Sequence, residues 1–268
     1  MITTEIEKQR HEIYGLLAER RLKDAFGKLA ILVNELQDWI SRDKLNEMEM
    51  SYKYMIQYML DGVEDPERKR IYDHLVVSAY MLTDRVSDEL VARVSPSQYY
   101  GWRRYVKASR ANETLASQCD RCDQALNDLS LVSLLSEQER DAAKIKSLKH
   151  RVEDEAGTLF MDVWTNYPAR EEDYSTLREA LYANRFPDDL VSLLISALLL
   201  NLLHRFDEEK LLLLLDGYRH TSPEIQLRSL CAALMVMYIY RERLPLFPSV
   251  QHRIVALSEE PRFKNDVR

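Results

Sequence analysis

Leu190-Val-Ser-Leu-Leu-Ile-Ser-Ala-Leu-Leu-Leu-Asn-Leu-Leu203 is the stretch on which the fold class turns. Only Ser192, Ser196 and Asn201 interrupt its apolar character. The run falls short of the roughly 20 apolar residues that span a bilayer as a helix. It suits a helix enclosed on most sides by other helices.

Moving outward from this run, the 3.6-residue period recurs along nearly the whole chain. Leu22, Ala25, Phe26, Leu29, Leu32, Val33, Leu36, Trp39 and Ile40 step by three and four, which predicts one continuous apolar face. Leu45, Met48, Tyr52, Met55, Ile56 and Met59 form a second such series, and Ile71, Leu75, Ala79, Leu82 and Val86 a third. Ile145, Leu148, Val152, Ala156, Leu159, Phe160 and Val163 mark another long helix. No segment sustains the alternation of a half-buried strand, and no Asn-Gly or Asp-Gly hairpin turn occurs. Asp65-Pro66 and Ser95-Pro96 read as an N-cap followed by proline at the first helical position. Ser95 with Gln98, Thr4 with Glu7 and Ser136 with Glu139 fit capping boxes. Ten to twelve helices are expected.

Composition agrees with this reading. The 268 residues include only 6 Gly and 8 Pro, a poor supply for the turns of a β protein or for phosphate-cradling loops. A net charge of −7 disfavours a dedicated nucleic-acid or anionic-membrane binder, which is usually basic. Met1 to Glu5 carries no basic and apolar leader pattern, and three cysteines argue against a disulfide framework, so the expected compartment is the cytoplasm. Ten acidic and four basic residues crowd between Arg151 and Asp189, either as a solvated convex face or as a dock for a basic partner.

The last third contains a recurrence. Aligning Phe186-Pro187-Asp188 with Ser222-Pro223-Glu224 gives an offset of 36 residues, which sets Leu194 on Leu230, Ala197 on Ala233 and Leu198 on Leu234. Helix pairs at this spacing point to stacked units that bury their apolar faces on their neighbours. The segment Ser222 to Leu234 resembles the second helix of a HEAT-type repeat, with proline near the start, Arg228 mid-helix and small residues beside leucines. Pro187 to Leu203 resembles it less, with Ser192 in place of the arginine, and Ile13 to Ala30 is faintly similar to a tetratricopeptide helix pair. The resemblance implies an α-α superhelix, or solenoid, of antiparallel helix pairs that serves as a protein-binding scaffold. The expected parts are a tetratricopeptide-like array over 1–135 and HEAT-like pairs over 136–268. The apolar helices of the last third should be sandwiched between neighbours. The short polar segment 261–268 offers no evident capping helix, so continuation in a longer protein or through a partner is expected.

Cys119 and Cys122 form a CxxC that could be a redox pair or half a zinc site, but both lie on the apolar series Leu115, Cys119, Cys122, Leu126, Leu129, which predicts core packing. His150 with Glu153 is the nearest approach to a metal pair, in solvated surroundings. No phosphate loop, nucleophile elbow or kinase motif occurs, so no catalytic, cofactor-binding or metal-binding residue is expected. Tyr99, Trp102, Arg103, Arg104, Lys107 and Arg110 interleave rings and cations. They are the candidate partner-binding residues, with single-stranded nucleic acid as an alternative occupant. The expected role is non-catalytic binding of another protein, with a regulatory or substrate-binding part of a larger protein as the alternative. Nothing in the sequence fixes an oligomeric state.

Overall fold

The computed structural model describes residues 1–62, 64–133 and 141–266. Among them the chain is all-α, with no strand. Thirteen α-helices lie among the described residues: α1 (Thr3–Ala18), α2 (Leu22–Leu36), α3 (Trp39–Leu60), α4 (Arg68–Val94), α5 (Gln98–Ser109), α6 (Leu115–Ser133), α7 (Ala142–Thr165), α8 (Glu171–Tyr182), α9 (Asp188–His204), α10 (Glu208–Asp216), α11 (Pro223–Ile239), α12 (Pro248–Ser258) and α13 (Pro261–Asp266). The chain divides into two units, Met1–Ser97 with Arg241–Pro248, and Gln98–Tyr240 with Ser249–Arg268. The expected boundary near 135, and the Ser136–Glu139 capping box, lie outside the described residues.

In the first unit α4 is central, packing against α1, α2, α3 and a 3-10 turn at Leu244–Leu246. Its burial runs round much of the helix, through Leu75, Val76, Ala79, Tyr80, Leu82, Val86, Leu90 and Val91. Thr83 is tolerated there because its hydroxyl donates to the Ala79 carbonyl at 2.7 Å. The series expected to run unbroken from Leu22 to Ile40 is instead divided between two helices. Gln37 adopts the left-handed conformation (φ 59°) and ends α2, and Asp38 restarts the chain by accepting from Ser41 N at 3.0 Å and Ser41 Oγ at 2.6 Å. Those bonds hold the Asp38 carboxyl below its ordinary pKa. Trp39 thereby becomes the first residue of α3 and is 71% exposed. Arg93 of α4 donates to the Leu36 carbonyl at 3.0 Å, satisfying one of the orphan acceptors at the α2 terminus.

Helix starts differ from expectation by about two residues. Asp65 accepts from Glu67 N within the turn before α4, and Ser95 from Ser97 N before α5, so neither caps at the first position. At the amino terminus Glu5 Oε2 accepts from Ile2 N at 3.1 Å, in place of the Thr4–Glu7 pair.

In the second unit α7 packs on α5, α6 and α9, and α9 in turn packs on α11. Helices α6, α8 and α10 form a succession of their own, with α8 touching both of the others. Helices α9 and α11 are each 17 residues long and begin at Asp188 and Pro223, an offset of 35 and not 36. The two prolines used for alignment occupy different positions: Pro187 is the N-cap of α9, whereas Pro223 is already inside α11. At an offset of 35 the burial patterns coincide, with Leu190 and Ile225, Leu194 and Ser229, Ala197 and Ala232, and Leu198 and Ala233 all buried. Gly217, just after α10, lets the chain approach α11 closely, since a Cβ there would meet Ser229 Cβ at 2.6 Å. The final segment also departs from expectation. It forms α13, whose Phe263 is buried edge-on to the Tyr218 ring at 5.1 Å.

Candidate interaction surface

The ring-and-cation segment of α5 is largely committed to its own unit. Tyr99 and Tyr100 are buried; the Tyr99 ring lies 4.1 Å from His204 and 5.8 Å from Trp164, and Tyr100 Oη is 3.0 Å from His204 Nε2. Trp102 Nε1 donates to Asp162 Oδ1 at 3.0 Å. Just beyond the helix, Arg110 pairs with Asp162 at 3.0 Å and Glu113 at 2.6 Å. Burial works against the Arg110 charge, but these acids outweigh it and hold its pKa above the ordinary value. Burial also raises Asp162, even though Trp102 and Arg110 stabilise its ionised form. Arg103 is half-buried over the Tyr99 and Tyr100 rings, at 5.7 and 5.6 Å. Of the six candidate residues, Arg104 and Lys107 alone are exposed, and Tyr105 joins them.

The groups of chemical interest are similarly enclosed. Cys119 and Cys122 are buried, and burial pushes their thiols up to about 12 and about 11, which keeps thiolate scarce at neutral pH. His150 stands exposed, 3.7 Å from both Glu153 and Asp154. Among the described residues no group of three or more His, Cys, Asp or Glu is placed to hold a metal ion. None of their helices is long and apolar enough to cross a membrane. Lys210, fully buried at the start of α10, donates to Asn201 Oδ1 at 2.9 Å and to the Asn166 carbonyl, with Asp207 Oδ2 at 3.6 Å. Burial lowers its pKa to about 8 despite those acceptors.

What remains on offer is a face of α9 and α11. The sequence suggests that both helices are sandwiched, yet each leaves one apolar stripe uncovered. On α11 Leu227, Cys231, Met235 and Tyr238 are exposed at steps of four, four and three, with Tyr238 at 72%. On α9 the exposed large apolar residues are Leu193, Leu200 and Leu203. At the offset of 35, Leu200 matches Met235 and Leu203 matches Tyr238. Arg228 Nη1 donates to Ser196 Oγ at 3.2 Å, tying the two stripes side by side. Arg228 is also paired with Glu224 at 3.4 Å. Sequence reasoning missed these residues because an apolar helix reads the same whether a neighbour covers all of it or most of it. No family model, curated protein or solved structure matches the chain.

Proposed function

We propose that this chain is a non-catalytic protein-binding scaffold, built as an α-α solenoid, that receives a partner segment on the α9–α11 face. The observation that carries the reading is the pair of uncovered apolar stripes, Leu193, Leu200 and Leu203 beside Leu227, Met235 and Tyr238. Contiguous exposed apolar area of this kind marks interaction surfaces, because leaving it in water costs about 25 cal/mol per Å². The solenoid reading draws support from the α7–α9–α11 succession, from the parallel succession α6–α8–α10, and from the equal lengths of α9 and α11. Nucleic acid draws less support as the occupant of α5, since Tyr99 and Tyr100 are buried and Trp102 is bonded to Asp162.

The test is capture from lysate of the source organism at moderate salt, comparing the wild-type chain with a Leu200→Glu/Met235→Glu double variant. Both side chains are exposed, so the variant should keep its helicity and melting temperature. A stoichiometric protein partner held by the wild type and lost by the variant is the expected result. A partner retained equally by both would remove the α9–α11 face from consideration, and nucleic acid in place of protein would overturn the scaffold reading.

A further inference from the structure

The first unit is discontinuous in sequence: α1 to α4 come from the first 97 residues, and Arg241–Pro248 joins them from far along the chain. Arg243 is the buried anchor of that segment. Its Nη1 donates to Asp84 Oδ2 at 2.7 Å and its Nη2 to Asp84 Oδ1 at 3.4 Å, a fork meeting a carboxylate. The guanidinium carbon lies 4.2 Å from the Tyr14 ring centroid and 4.3 Å from that of Tyr80. Tyr14 also donates its hydroxyl proton to Asp84 Oδ1, the oxygen that Arg243 Nη2 reaches. Two aromatic faces and a buried carboxylate are the groups that recognise a planar guanidinium and discriminate it from an ammonium.

The segment itself has the form of a linear ligand. Four residues after Arg243, Phe247 is also buried, and Leu244 and Leu246 are half-buried between these anchors. Before Pro248 opens α12, its regular structure is one 3-10 turn. Pro245 and Pro248 restrict the backbone, which lowers the entropy lost on docking. We propose that α1 to α4 form a receptor for an arginine-bearing linear segment, and that the chain's own Arg241–Pro248 occupies it. The ligand class is a short, proline-containing peptide with one arginine and an apolar residue four positions later. This inference is independent of the α9–α11 face.

The test uses the full chain carrying Arg243→Ala, checked for helicity by circular dichroism and titrated with a fluorescent peptide of the sequence Arg241–Pro248. Fluorescence polarisation should show saturable binding. Alanine in place of Arg243 in the peptide, or Asp84→Asn added to the chain, should weaken it about tenfold or more, in keeping with a charge-assisted pair. The wild-type chain, its receptor already filled, should bind at least about tenfold more weakly. Absence of binding, or binding indifferent to the peptide's arginine or to Asp84, overturns the proposal. If Arg243→Ala fails to fold, Arg243→Lys serves in its place, because lysine keeps a cation near Asp84 without the flat guanidinium that lies against both rings. The same outcomes then decide.

Discussion

Lys210 shows how a single buried group sets the response of the fold to pH. Its ammonium is out of water, held by one side-chain amide oxygen, one carbonyl and a more distant carboxylate. With its folded pKa lowered to about 8 from 10.5, the native state binds fewer protons than the unfolded state between those values. The Lys210 contribution to stability therefore rises with pH from about 8 toward 10, and its desolvation penalty is fully present below about 8. Tyr14, Tyr174 and Tyr182 act the other way. Burial raises each above its ordinary 10, so the folded state retains protons that the unfolded state releases, and stability falls above about pH 10. Burial likewise raises the Cys119 and Cys122 thiols, to about 12 and about 11 from 9.0, so their opposing effect begins near pH 9, and urea midpoints measured from pH 7 to 11 should pass through a maximum between about 8 and 9. Lys210→Met should flatten the rising limb by about 1–3 kcal/mol while leaving the falling limb in place. A rising limb that survives Lys210→Met would assign it to some other group.

At the scale of the helix, ends rather than middles decided where expectation and structure parted. The apolar periods of α2, α4, α6 and α7 were legible because burying one face of a long helix leaves a strong, redundant pattern. The break at Gln37 was not legible, since a left-handed residue is expected to be glycine or asparagine and Gln37 is neither. Gln37→Gly should accordingly stabilise the chain by about 0.5–1 kcal/mol, read as a shift in denaturant midpoint at constant slope. A loss of stability would mean that the Gln37 side chain contributes more than its backbone costs. The recurrence in the last third was seen one residue out of register, because proline can serve either as an N-cap or as the first helical residue. That single-residue slip turns the exposed Leu200–Met235 pair into Leu200 against buried Val236, and so hides the common face. In α5 the residue types were visible, but which rings face inward depends on Trp164, His204 and Asp162, all more than 50 residues distant in sequence.

For the molecule as a whole, the discontinuity of the first unit governs which pieces of the chain can stand alone. A fragment of residues 1–97 contains Asp84, Tyr14 and Tyr80 without Arg243, and stripping one partner from a buried ion pair costs about 3–5 kcal/mol. Such a fragment should melt earlier and less cooperatively than the intact chain, and circular dichroism on both would detect it. Equal melting curves would mean that α1 to α4 close without their arginine. The same dependence sets an order of events during synthesis. Domains ordinarily fold as they leave the ribosome, amino-terminal first. Here the 151 residues from Gln98 through Pro248 must be translated before the first unit has all its parts, a delay of about 8–30 s at 5–20 residues per second. During that interval the nascent helices carry the Asp84 carboxylate without its arginine counter-ion, held by the Tyr14 hydroxyl. Stalled nascent chains with residue 97 exposed should be cut readily by protease, and those with residue 248 exposed should resist.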